Sequence, residues 1–466
     1  MVVFADGDCS FGRFTEVKID TALLKRCSRW IEFGYAVLLI AALTQGPILS
    51  LWNRADQGSL GYQVDVAVFC TYFLVQLPAI ALLGRRISLS KNMLGPIGVL
   101  FLLLAWLLAS TGWSTYRSQT MIQISALVAT CCAGIYFAKS FKFRQQIAIV
   151  AVAMQPGLIA SWWAVTRSWK GADTARVYWI ATCKTSSYVT AQDCQVRERG
   201  NWIGIYFNKN SLAPVAVVGM FTLLLLIWFV VSKRSGKWWP AIAFLLVDVL
   251  ILNYAVFDRT DSATALVAAF GGIGVWLFWS VARYISRRTP EWSKTIRNAV
   301  FAIFSGIMAL GVWVLNHYEA YIASQFGKQP AFDGRDIYWA AAWDAVKTRP
   351  WIGWGWMSAW FTGSFRDGLT DSLQYDYFSH NGYLDILLGG GLVAGVLFSL
   401  WVLWSGERAI KTSLKAEGGQ WTFSMAVLVL IAASQESIFV GGNFLLLLLV
   451  AALSGPIFVM AEPDDS

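Results

Sequence analysis

The chain holds two histidines in 466 residues, and the second, His380, stands where a polar stretch re-enters an apolar run (DYFSHNGYLDILL). Histidine is the side chain whose ordinary pKa best suits proton transfer near neutrality. The competing reading is a residue that caps or anchors a helix at a membrane interface. On the same polar stretch Arg335 occupies the first turn of a helical pattern (RDIYWAAAWDAVK), and Lys347, Arg349 and Arg366 add positive charge nearby. Two further cations sit at the ends of other apolar runs. Lys209 is flanked by Asn208 and Asn210, and Arg259 stands between Asp258 and Asp261 in a very short turn (FDRTDSATAL). A snorkelling lysine and an arginine paired with its neighbouring aspartates are the ordinary explanations. Asp248 and Glu436 fall inside apolar runs, where a carboxylate is costly and usually faces a cavity or a partner. Each is expected either to serve a proton path or to hydrogen-bond a neighbouring helix.

What must position these groups is a set of apolar helices. Hydrophobic residues make up 57% of the chain and charged residues 14%, with a mean hydropathy of +0.53. Soluble chains of this length do not carry that balance. The fold class expected is all-α and polytopic, with about twelve transmembrane helices of the length that crosses a bilayer. The segments are 31–51, 63–83, 93–111, 119–138, 146–166, 211–232, 238–257, 262–282, 299–318, 382–404, 421–440 and 443–460. Residues 1–30 read as a cytoplasmic N-terminal segment without a removable signal peptide. Residues 31–460 read as a single transmembrane domain with outer loops 167–210 and 319–381, and 461–466 as a cytoplasmic tail.

Orientation follows from the short basic loops (KRCSR, GRR, KSFKFR, SKRSGK, RYISRR and ERAIKTSLK), which with the N-terminal segment hold most of the 37 Lys and Arg residues. That bias places both termini in the cytoplasm and the two long loops outside. The net charge of +9 then reflects topology and contact with lipid. No basic tract interleaved with aromatics suggests nucleic acid as a partner.

Each long loop has its own organisation. The first holds Cys183 and Cys194 (TCKTSSYVTAQDC), expected to form a disulfide on an oxidising face, the alternative being two free thiols. In the second, Asp333-Gly334 reads as a turn, and Pro350 ends the helix that follows. PWIGWGW reads as an aromatic ledge at the interface, anchoring in lipid or stacking on sugar rings. Glycines in GGIG and LGGGLVAG read as close helix packing. The sequence shows no metal-ligand cluster, so no metal is expected. It also shows no phosphate-cradling glycine loop, no Ser/His/Asp pattern and no internal repeat, and no cofactor is expected.

Several stretches together resemble the bacterial O-antigen ligase and polysaccharide polymerase superfamily. They are WSTYRSQT, GNWIGIYFNKN, DRTDSATAL, GRDIYWAAAWDAVKTRPWIGWGW and SHNGYLDILLGGGLVAG, in that order. The resemblance covers most of the chain by topology, with the motifs mainly between residues 200 and 400. It implies a membrane-embedded glycosyltransferase of the C type in the bacterial inner membrane, with its active site on the extracytoplasmic face. The implied donor is a glycan on a polyprenyl (undecaprenyl) diphosphate, and the implied acceptor a glycan or lipid-linked sugar hydroxyl. His380 matches the family's proposed general base, Arg335 the arginine of its GR motif, and Arg259 the arginine after the seventh span. Lys209 matches the lysine of a motif commonly written HKN, where this chain has Asn208 in place of the histidine. Asn210, Asn381 and Asp385 are implied as supporting residues. FNKN and the tryptophan ledge are similar to the exopolysaccharide polymerase branch.

The chemistry asks for these residue types on its own grounds. A sugar hydroxyl is a poor nucleophile, and a histidine within hydrogen-bond reach can take its proton during attack. A departing diphosphate gathers negative charge, which the guanidinium fork matches and cannot lose by deprotonation. The competing class is a transporter or flippase of lipid-linked glycans, with Asp248 and Glu436 as coupling sites; a scaffold for an export complex is a third reading. Against a carrier stands the absence of matching interrupted halves.

Overall fold

The structure is a computed structural model. It describes residues 21–51, 66–86, 95–167, 177–178, 181–183, 194–196, 201–206, 208–234, 237–289, 335–362, 378–415 and 419–461, with scattered positions between 291 and 310. The predicted turn at Asp333-Gly334, Arg366, most of the ninth predicted span and nearly all of the C-terminal tail lie outside the described residues, as does most of the N-terminal segment.

The chain is built from helices α1 (Thr21–Leu43), α2 (Gly46–Leu51), α3 (Val66–Arg86), α4 (Pro96–Ala109), α5 (Arg117–Ser140) and α6 (Phe143–Arg167). Then come α7 (Lys209–Lys233), α8 (Trp239–Thr260), α9 (Ala263–Arg288), α10 (Arg335–Thr348), α11 (Gly382–Lys415), α12 (Gly419–Ala433) and α13 (Phe444–Ala461). Helix falls within each predicted span at the described residues, although the eleventh predicted span, 421–440, is helical only to Ala433. Among the described residues, six helices (α5 to α9 and α11) are long and apolar enough to cross a membrane. Three further apolar helices, corresponding to α4, α12 and α13, are shorter. The expected count of about twelve is therefore not reached by that measure of length and composition. The first predicted span, 31–51, is two helices rather than one. Gln45 takes φ +74° between them, and a Cβ on Gly46 would lie 2.6 Å from the ring of Tyr206, which leaves room only for glycine.

Among the described residues, strands occur only between 177 and 202: β1 (Val177–Tyr178), β2 (Ala181–Cys183), β3 (Cys194–Val196) and β4 (Asn201–Trp202). β1 pairs antiparallel with β4, and β2 with β3, in a register that sets Cys183 opposite Cys194.

The helices share one continuous apolar core. α7 packs between α6 and α8, α5 against α3 and α13, α12 against α9 and α13, and α11 against α4, α12 and α13. α8 leaves Phe244, Leu245, Ile251 and Tyr254 exposed, and with them Asp248, the carboxylate expected to face a cavity or partner.

Gly271 and Gly272 do pack closely, against Ile431 and Leu428 of α12. The second glycine run behaves differently. α11 breaks at Gly391, whose φ of 67° and ψ of −165° no helix permits. The backbone groups that the break strands are taken up by residues 350–356. Leu392 N donates to Pro350 O at 2.7 Å, Trp354 N to Leu388 O at 2.9 Å and Gly355 N to Gly389 O at 3.0 Å. A Cβ on Gly391 would lie 2.3 Å from the Trp351 carbonyl carbon, so the two chains meet backbone to backbone. The predicted ledge is thus mostly an insert. Trp351 is exposed, but Trp356 is buried, with its amide on Ser110 Oγ (3.1 Å) and its carbonyl on Thr120 Oγ1 (3.0 Å).

Candidate active site

His380 lies in the turn that leads into α11, with φ +52°, a region that residues other than glycine seldom occupy. Neighbouring polar groups hold it there. Ser379 N and Oγ donate to Asp385 Oδ1 at 3.2 and 2.7 Å, and Ser379 Oγ accepts from Asn381 N at 3.0 Å. Asn381 Oδ1 accepts from Tyr383 N (3.1 Å) and Leu384 N (3.2 Å), capping α11. From α10, Trp339 Nε1 donates to Ser379 O at 3.0 Å, and the Tyr338 ring stands edge-on to the imidazole at 5.8 Å between centroids. Asp385 is 4% exposed. Asn381 and Asp385 therefore shape the turn that carries the histidine.

Arg335 and His380 meet through a residue that the sequence reading left elsewhere. Glu436, expected inside the eleventh span, stands in the connection between α12 and α13. Its Oε1 accepts from Arg335 Nη2 at 2.9 Å, and its Oε2 lies 3.6 Å from His380 Nδ1. The other arm of the guanidinium is bound to Gln435 O. All three side chains are between 14% and 22% exposed, sheltered from bulk water yet reachable by a ligand. The helix ends after Ala433 because Ser434, Gln435, Glu436 and Ser437 precede Gly441, Gly442 and Asn443. That polar and glycine-rich punctuation between two apolar runs was the available signal.

Glu436 also lines a small cleft with Asn210, Ser262 and Thr264, between α7, α9 and α12. Asn208 Oδ1 caps α7 by accepting from Ser211 N at 2.7 Å, and Ser262 Oγ caps α9 by accepting from Ala265 N at 3.4 Å. Asn210 and Ser262 are joined at 3.4 Å. The N-termini of α7, α9 and α11 thus face one region, each with the partial positive charge of its helix dipole. Asn208, in place of the family's histidine, works here as a helix cap. Lys209 is the first residue of α7 and half-buried; Arg259 lies exposed on the last turn of α8, three residues before Ser262. Lys209 and Arg259 both flank the cleft by their position in the chain.

A proton acceptor backed by a carboxylate, an arginine fixed beside it and several helix N-termini form an arrangement suited to anionic ligands. A family model described as O-antigen ligase matches residues 249–399. Residues 249–399 are thus similar to an O-antigen ligase domain, which supports the O-antigen ligase and polymerase superfamily, and the apolar helices fit a multi-pass membrane protein. The O-antigen ligase match takes in Arg259, Arg335, His380, Asn381 and Asp385, while Lys209, Asn210 and Glu436 lie outside its bounds. No curated protein matches the chain.

Proposed function

We propose that this protein transfers a glycan from a polyprenyl diphosphate carrier to an acceptor sugar hydroxyl, on the extracytoplasmic face of the bacterial inner membrane. The observation that carries the reading is the Arg335–Glu436–His380 chain of contacts, whose arginine and histidine fall in the region similar to an O-antigen ligase. With Nδ1 facing Glu436, the other ring nitrogen, Nε2, is the one to take the acceptor's proton. The freed oxygen attacks the anomeric carbon, the bond to the diphosphate oxygen breaks, and its electron pair leaves with the diphosphate. The sugar inverts in this single displacement. Glu436 stabilises the imidazolium that forms, as a carboxylate beside a catalytic histidine does. Arg335, with Arg259 and Lys209 flanking the cleft, meets the charge gathering on the leaving group. Fixed cations of this kind do the work without a divalent metal in the proposed mechanism.

The experiment is transfer by purified protein in detergent, with EDTA, using polyprenyl-diphosphate glycan from the host and comparing wild type with His380→Ala. Loss of a general base is expected to lower the rate about 10²- to 10⁴-fold while the variant remains folded in the membrane. Undiminished transfer by the variant would sink the assignment. A ladder of lengthened lipid-linked products marks a polymerase, and a single addition to a different acceptor marks a ligase. Movement of unchanged donor across vesicles, without transfer, would make the protein a flippase.

A further inference from the structure

The connection that carries Glu436 is tied to the far side of the bundle by a run of buried hydrogen bonds. Gly442 N donates to Thr130 Oγ1 of α5 at 2.9 Å, at a residue with φ +80°. Thr130 Oγ1 is 2.9 Å from Gln76 Oε1 of α3 and 2.8 Å from Ala126 O, its own helix neighbour. A hydroxyl has one proton to give. Ala126 O already lies in a helical backbone ladder, whereas Gln76 Oε1 would otherwise be a buried acceptor without a donor, so the proton belongs on Gln76. Gln76 Nε2 in turn donates to Tyr72 O at 2.9 Å. Thr130 and Gln76 are both 0% exposed. The bonds run in one direction, Gly442 to Thr130 to Gln76 to Tyr72, an arrangement in which each strengthens the next.

The same connection is pressed in from both sides. A Cβ on Gly441 would fall 2.4 Å from the Ala126 backbone, one turn before Thr130. Phe439 is buried against the start of α11: a Cβ on Gly382 would lie 2.7 Å from its ring, and it stacks edge-on with Tyr383 and Phe398. Gly382 is two residues beyond His380. The connection therefore runs from Glu436, beside the histidine turn, to Gly442 at the Thr130 anchor.

We infer that Thr130 and Gln76 are positioning residues for the transfer step, holding the Glu436 connection so that its carboxylate meets His380 and Arg335. This rests on the function proposed above. Polar side chains so deep among α3, α5 and α13 would be better replaced by apolar ones if packing were their only task. What demands them is the Gly442 amide, a backbone donor that has left the helix and must find an acceptor inside the bundle.

The test compares Thr130→Val, which keeps the shape and removes the hydroxyl, with Thr130→Ser, which restores it. Amide hydrogen exchange of the peptide covering Gly442 and steady-state transfer are both measured on the full chain. Thr130→Val is expected to exchange about tenfold faster there and to lose about tenfold in kcat, the scale of one ordinary hydrogen bond. KM for the lipid-linked donor is expected to stay within twofold, and Thr130→Ser to recover both values. Unchanged exchange would overturn the anchor. Faster exchange at full kcat, or loss that Ser does not rescue, would overturn the link to the base. Gln76→Leu, which removes the next acceptor, gives the same readings should Thr130→Val not fold. Exchange reports on the anchor even where wild type shows no transfer, which separates a failure here from a failure of the proposed function.

Discussion

Glu436 Oε2 stands 3.6 Å from His380 Nδ1 while Oε1 holds Arg335 at 2.9 Å, so one carboxylate contacts both the imidazole and the guanidinium. Glu436→Gln keeps the shape and removes the charge. The rate of transfer is expected to fall at least tenfold, more than one neutral hydrogen bond would account for. An anion favours the charged ring, so its removal makes protonation of His380 harder. The acid limb of the kcat/KM profile should then move to lower pH in the variant. A profile that stays in place, or moves to higher pH, would count against the pairing.

Arg335 uses two separate nitrogens, one on Glu436 and the other on Gln435 O. A lysine has one charged nitrogen and cannot reproduce a fork. Arg335→Lys is expected to lose about tenfold or more in kcat/KM for the donor and to remain assembled in detergent. Kinetics equal to wild type would show that only the charge is needed.

Asp385 closes the turn around a left-handed histidine through Ser379. Asp385→Asn weakens that closure and removes a charge that interacts with His380. A fall in kcat is expected with the donor KM preserved, and Ser379→Ala should add little in the Asp385→Asn background because the two residues share one interaction. Fully additive losses would separate them.

Gly391 has no room for a side chain and a backbone angle suited only to glycine. Gly391→Ala is expected to destabilise the protein by roughly 2 kcal/mol or more, combining a clash with positive-φ strain. Thermal unfolding in detergent, followed by tryptophan fluorescence, reads it. An unchanged midpoint would mean that the 350–356 insert can shift at little cost.

The antiparallel register of β2 and β3 sets Cys183 opposite Cys194. We expect the bond to form, its two electrons passing to an oxidised dithiol partner outside the cytoplasm. Intact-mass analysis after alkylation, with and without reduction, decides it. Alkylation of both thiols without reductant would show them free.

Much of this was legible in the sequence. Apolar runs located helices from α3 to α13, because a membrane helix must be apolar along its length. The pattern RDIYWAAAWDAVK, with Pro350 beyond it, located α10 and put Arg335 in its first turn. Glu436 was placed inside a span, since Ile438, Phe439 and Val440 prolong the apolar count past the true helix end at Ala433. Hydropathy counts residues and not backbone angles, so it also read through Gln45 and Gly391, where the chain turns. The tryptophans of 351–356 looked like a surface feature for the same reason. The burial of Trp356 depends on a gap in another helix, and no local pattern announces a gap. That Asn208 works as a cap was legible from its place before α7, though the family motif drew attention to its missing imidazole instead.

The interruption at Gly391 also divides a thickness requirement. Residues 392–415, at about 1.5 Å per residue, extend roughly 36 Å, enough by themselves for a hydrocarbon layer of roughly 30 Å. Residues 382–390 are not needed to reach that width. That arm can therefore hold a buried aspartate and three hydroxyl or amide groups at its root, a composition that a segment obliged to cross the bilayer would find expensive. Its length matches the distance between the histidine turn and the insert that fills the break at Gly391.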